Sequence, residues 1–209
     1  MNGLKLGLAS MATVVAGPYQ TIPEVQGLFV SHLENVLGTS FDLKIVARSY
    51  AAARQTEKGI LAEIERLNNI LSSYLPTSEF SRWGISAPQT TSVSEDLWAV
   101  LNEFTEWHQQ TDGALNAAAE VINQLWQKAA QTQTLPSEAE RLNAVLAANQ
   151  THWNLDPVHQ TATRLSQAPL RLHTFAKSYI LDRADFYGLC KRVCIIFVIF
   201  FPASNNSIN

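Results

Sequence analysis

The hydrophobic period of this chain changes once, abruptly, near its front. Phe41, Leu43, Ile45 and Ala47 alternate with Asp42, Lys44 and Val46, the period of two that marks a strand with one buried face. From Ala51 to Tyr74 the spacing becomes helical. Ile60, Leu61, Ile64, Leu67, Ile70, Leu71 and Tyr74 recur at three- and four-residue steps, opposite Glu57, Lys58, Glu63, Glu65 and Arg66. The spacing therefore predicts a half-buried strand and then a long amphipathic helix, two elements that can bury their apolar sides against each other.

Turn chemistry at Pro76, Ser78 and the stretch from Gly84 to Pro88 interrupts the helical pattern. A second helix is expected after Ser94, an N-cap residue followed by Glu95 and Asp96, with Leu97, Trp98, Leu101, Phe104 and Trp107 on its buried face. Thr111-Asp112-Gly113 breaks it, and the Ala-rich run from Ala114 to Ala130 reads as a third. Ser137 and Glu140 form a Ser-x-x-Glu capping box for a short helix ending near Asn149. Asp156-Pro157 suggests a hairpin between strands at 151–155 and 161–165, with a third short strand expected at 170–172 and a last helix from Phe175 to Tyr187. No internal repeat is evident. Strand, helices, hairpin and helix in that order predict an α+β domain rather than a series of βαβ units.

Composition excludes several function classes. The 209 residues are 46% hydrophobic, enough for one substantial core. Lys plus Arg number 15 against 18 Asp plus Glu, and this net charge of -3 without a basic run leaves no electrostatic footprint for nucleic acid. Cys190 and Cys194 are the only cysteines and have no histidine beside them to complete a zinc site. His32, His108, His152, His159 and His173 are scattered, with no pair at metal-ligand spacing. No Gly-x-Ser-x-Gly elbow and no Walker loop occurs. Near the N-terminus, Lys5 and the apolar run from Leu6 to Ala16 have the size of a secretory h-region and are too short to span a bilayer; they favour an exported or periplasmic protein, a disordered start being the alternative.

Four segments in register resemble the flavin transferases of the ApbE type. They are Glu34 to Ser40, Leu71-Ser72-Ser73-Tyr74 with Ser78 to Arg82, Thr111-Asp112-Gly113-Ala114 running to Leu125-Trp126, and Phe175-Ala176-Lys177-Ser178-Tyr179 with Asp182. The resemblance covers Glu34 to Gly188. It implies an enzyme that splits FAD at its pyrophosphate and leaves FMN esterified to a Thr or Ser hydroxyl of a target flavoprotein, releasing AMP. Phosphoryl transfer of this kind requires neutralised phosphate charge, ordinarily by Mg2+ in oxygen ligands, and an in-line hydroxyl.

The same resemblance implies the site residues. Tyr74 would contact the flavin, the alternative being an ordinary core aromatic, and Leu37 would meet FAD beside Gly38. Ala114, Leu115 and Asn116 would cradle FAD at a helix start, or simply cap that helix. Lys177 would set its ammonium against a phosphate or flavin carbonyl; the alternative is a solvated lysine. Thr174 matches a magnesium ligand, with a plain strand-end threonine as the alternative. Arg171 departs from the family, standing where an acidic FAD contact is expected.

After Gly188 the resemblance ends. Such a transferase continues with a Gly-Gly-containing strand and an Asp- and Thr-bearing segment that completes the metal shell, whereas this chain has Lys191-Arg192 and the apolar run from Val193 to Phe201. The expected organisation is thus a signal-like or disordered segment at 1–28, the front part of a transferase domain at 29–188 and an atypical apolar tail at 189–209, read either as a buried strand or as foreign sequence. An inactive truncated remnant or a plain FAD-binding module is the alternative to an active transferase.

Overall fold

The computed structural model describes residues 27–86, 88–190 and 194–200, with the backbone alone at 173–174, 186–190 and 194–200. The signal-like run from Leu6 to Ala16 lies outside the described residues. Among the described residues, two antiparallel three-stranded sheets are accompanied by six helices.

The first sheet has the order β1-β2-β6, from Gly27–Val36, Thr39–Ala47 and Cys194–Phe200. Its middle strand is the one predicted from alternation. Phe41, Leu43, Ile45 and Ala47 are buried while their neighbours are half-exposed. Strand β1 was not anticipated; it pairs with β2 from Gly27↔Ala47 to Val36↔Thr39. The apolar tail also joins this sheet, Phe200 to Cys194 running against Ser40 to Val46.

Helix α1 (Tyr50–Leu71) begins at Ser49, whose hydroxyl accepts the Ala52 N–H, and lays Ile60, Ile64, Leu67 and Leu71 into the core. Two details differ from the pattern reading. Glu57, expected on the solvent face, is buried and paired with Arg54 at 2.5 Å. Tyr74 lies beyond the helix end and is 71% exposed, so it is no core aromatic. A short helix α2 (Glu79–Gly84), where only turns were expected, is capped by Ser78 and buries Phe80 and Trp83.

The second sheet has the order β3-β5-β4, from Thr90–Ser92, Thr161–Arg164 and Trp153–Asp156, so the predicted hairpin forms and β3 completes it. The strand expected at 170–172 is absent. That segment's donors go elsewhere: Arg171 N–H to the Ala117 carbonyl and Leu172 N–H to Ser73 Oγ. Helix α3 (Glu95–Gln110), capped by Ser94 as expected, buries Leu97, Val100, Leu101 and Phe104. Trp107 is half-exposed because the next turn of that face is taken by His108, whose Nδ1 binds the Leu115 carbonyl at 2.6 Å.

The third predicted helix starts late. Residues 114–118 form turns, and α4 runs over Ala119–Thr132 without a single buried residue. Helix α5 (Glu138–Ala148) opens with the predicted capping box of Ser137 and Glu140 and packs against α4. Helix α6 (His173–Cys190) then crosses α1, burying Ala176, Ile180 and Ala184. Among the described residues no helix is long and apolar enough to cross a membrane.

A polar knot fixes how these helices sit. Asp96, in the first turn of α3, receives Arg66 of α1 at 2.8 Å and the hydroxyl of Tyr179 of α6 at 3.0 Å, with Arg183 at 3.6 Å. Burial raises the Asp96 pKa, but the hydrogen bonds from Arg66 and Tyr179 outweigh it and hold the carboxyl below its ordinary range. The Tyr179 phenol is pushed up to about 12 by burial and by its bond to that carboxylate.

Candidate functional site

Three chain segments distant in sequence meet in a cleft of about 530 Å3. The β1–β2 turn contributes Asn35, Leu37 and Gly38; the end of α1 contributes Asn68 and Leu71 to Leu75; α6 contributes Ala176, Lys177 and Ile180.

Each wall is positioned by a local rule. Val36 and Thr39 pair, which leaves Leu37 and Gly38 as a two-residue hairpin turn with φ of 51° and 74°. Two positive φ values match the twist of the flanking strands, and only the glycine takes that conformation freely. Leu37 is held there at a cost of about 1–2 kcal/mol, with its side chain half-buried at the cleft wall.

At the end of α1, serines hold the turn. Ser72 Oγ accepts the N–H groups of Tyr74 and Leu75, while the Ser72 carbonyl accepts the hydroxyls of Ser78 at 2.6 Å and Ser81 at 3.0 Å. The neighbouring Ser73 carbonyl accepts Arg171, and Ser73 Oγ accepts Leu172 N–H. A backbone pinned from both sides presents Tyr74 outward, and the Arg171 guanidinium lies over its ring at 5.1 Å.

On α6, Ala176, Lys177 and Ile180 share one side of the helix by their spacing, while Tyr179 is tied to Asp96. Lys177 is the single charged group among the described lining residues, and it makes no ion pair among the described residues. An apolar floor, one free aromatic face and one unneutralised cation suit a planar ligand that carries negative charge.

The structure thus brings Leu37, Tyr74 and Lys177 together, and it places the other sequence-derived candidates elsewhere. Ala114 is exposed on a turn. Leu115 packs against the core. The Asn116 amide is already committed: Nδ2 donates to the Ala148 carbonyl at 3.0 Å, and Oδ1 accepts Ala118 N–H at 2.8 Å. Asn116 borders a separate pocket of about 190 Å3 with His108, Asn149, Thr151 and Trp153. The expected helix start at Ala114 is instead this turn, bolted to the end of α5. Thr174 falls in the first turn of α6, three residues before Lys177. Among the described residues no cluster of three or more His, Cys, Asp or Glu side chains could hold a metal ion.

Asn35, Asn68, Ser73 and Ile180 also line the cleft, though none was assigned a site role from the sequence; Asn35 and Ser73 lie within the segments that carry the resemblance. Asn68 had a signal, since it precedes Leu71 by three residues and Ser72 by four and so shares their side of α1. Asn35 had none beyond its segment and its place before the turn.

Comparison with known proteins identifies the fold and the family. No curated protein sequence matches significantly. Among solved structures, the flavin transferase ApbE from Vibrio cholerae superposes with a TM-score of 0.67 at 19% identity, over 84% of this chain and 58% of that one. The ApbE protein from Thermotoga maritima gives 0.68 at 19% identity, over 85% and 60%, and the apo flavinyl transferase ApbE from Pseudomonas stutzeri gives 0.59 at 18%, over 84% and 56%. The chain therefore spans under two thirds of the length of these structures. A sequence profile of the ApbE family matches residues 37–188, a stretch that runs from the cleft's Leu37 through Lys177 and beyond, and the chain belongs to that family.

Proposed function

We propose that this protein is an FAD:protein FMN transferase, which moves FMN from FAD to a Thr or Ser hydroxyl of an acceptor flavoprotein and releases AMP. The observation that carries the reading is the convergence of Leu37, Tyr74 and Lys177 on one cleft. Family membership and the flavin transferases it superposes on support it.

In this reading the acceptor oxygen forms a bond to the FMN phosphorus as the pyrophosphate bridge to AMP breaks, and the hydroxyl proton leaves to a base or solvent. This chain's residues bind and orient. Tyr74 offers one ring face to the isoalloxazine, because Arg171 covers the other. Leu37 contacts the apolar ring edge, and Lys177 offsets phosphate charge. Magnesium belongs to the reading through the family, with Thr174 as one oxygen donor. The described residues do not otherwise fit its six-oxygen shell, so no step here is routed through the ion.

The test is incubation of the chain with FAD, Mg2+ and a flavoprotein bearing an acceptor Thr, followed by in-gel flavin fluorescence and AMP assay. Covalent flavin with equimolar AMP is expected, and Lys177→Ala lowers the rate by about tenfold or more, as for loss of a charge-assisted contact. FAD binding without either product identifies a binding module instead. No FAD binding at all refutes the reading of the cleft.

A further inference from the structure

Asn68 is the cleft's unexplained residue. It sits in the last turn of α1, half-buried against the cleft, and its side-chain amide has no hydrogen-bond partner among the described residues. Other polar groups of that wall are engaged: Ser72 Oγ by two backbone N–H groups, Ser73 Oγ by Leu172 N–H, and the Asn68 carbonyl by Ser72 N–H. Asn35, the other cleft amide, is exposed and can be hydrated. A half-buried amide whose donor pair and acceptor bond to no described residue keeps both available to a ligand in the cleft.

The chemistry of that ligand follows from the walls. Asn68 lies at the carbonyl end of α1, which has no basic residue in its last turn, so this wall is electronegative and favours a hydrogen-bond donor. Lys177 on the opposite helix favours acceptors and anions. The pyrimidine edge of an isoalloxazine presents an N3–H donor between two carbonyl acceptors, and one amide can accept from N3–H while donating to a neighbouring carbonyl.

We infer that Asn68 is a specificity-determining residue that reads the pyrimidine edge of the flavin, so that the ring, and not the adenine of FAD, occupies this cleft. The inference rests on the flavin reading of the site. It predicts that a flavin lacking N3–H binds poorly, and that the penalty depends on Asn68.

The experiment titrates the full chain with riboflavin, N3-methylriboflavin, FAD and ADP, by flavin fluorescence and, for ADP, by calorimetry. The wild-type chain should prefer riboflavin to its N3-methyl analogue by about tenfold, the size expected for an unsatisfied polar pair. Asn68→Leu should weaken riboflavin and FAD by a similar factor, erase the preference and leave ADP unchanged. Asn68→Gln, which keeps the amide, should retain part of the preference and provides the folded control should the Leu variant melt early. An unchanged preference in Asn68→Leu overturns the inference while FAD binding keeps the site reading intact. Weakened ADP binding with unaltered riboflavin overturns it in favour of adenine. A wild-type chain that binds neither flavin overturns both.

Discussion

Replacing Tyr74 with Ala separates ligand contact from packing at the residue where the two readings of the sequence diverge most. With 71% of its surface exposed, Tyr74 buries under a third of its area. That is about 60 Å2, or at most about 1.5 kcal/mol of stability. A true core aromatic would lose about 3–5 kcal/mol. Stacking of a flat heteroaromatic ring on an aromatic side chain contributes about 1–3 kcal/mol, so Tyr74→Ala should weaken FAD by about 5- to 150-fold. Tyr74→Phe should bind nearly as well as wild type. Arg171→Leu, which removes the cation from the far face of the ring, should cost about two- to fivefold and add little in a Tyr74→Ala background, because its action is exerted through that ring. FAD titration and thermal melts of wild type and the four variants supply both readouts. An affinity within twofold of wild type for Tyr74→Ala would refute the stacking role, and a melting loss of core size would show that the ring packs rather than presents.

Asp96→Asn should destabilise the chain by about 2 kcal/mol at neutral pH, since Arg66, Tyr179 and Arg183 lose their shared anion. The folded Asp96 pKa lies below the ordinary carboxylate value, so this stability is present above about pH 4 and lost as pH falls through the lowered pKa; melting curves of wild type and variant should converge in acid. Arg164 is buried and donates to the carbonyls of Gly84, His152 and Ala168, with no carboxylate partner among the described residues, so Arg164→Ala should cost about 3 kcal/mol or more and leave little folded protein in denaturant titrations. Gly38→Ala meets open space but must hold φ at 74°, and should lower stability by about 1–2 kcal/mol in the same assay.

What the sequence revealed follows from where a residue's neighbours lie. The buried face of β2, the caps at Ser94 and Ser137 and the β4–β5 hairpin rest on local chemistry, and each formed where its residues predicted. Strand β1 was hidden because Leu28, Phe29 and Val30 are consecutive apolar residues on alternating faces, two of them exposed, which erases the period of two. Glu57 was misread because its charge was weighed over its position: it stands in helical phase with Ala53, Ile60 and Ile64, and Arg54 pairs with it where it is buried. The stretch at 170–172 looked like a strand because its partners, Ala117 and Ser73, are distant in the chain and offer isolated acceptors rather than a ladder.

That same stretch explains why the sequence-derived site divides in two. Arg171 binds the Ser73 carbonyl through its side chain and the Ala117 carbonyl through its backbone, so it spans the wall between the Tyr74 cleft and the turn that holds Asn116. An acidic side chain at 171 could make neither the bond to Ser73 nor the contact with the Tyr74 ring, and would be repelled by the carbonyl it faces. Arg171 therefore does structural work at this position that an acidic residue could not do. It lies over the Tyr74 ring and leaves Lys177 as the charged residue lining the cleft among the described residues, so in the proposed flavin site a change at 171 should act through the orientation of Tyr74 and a change at 177 through the charge of the ligand.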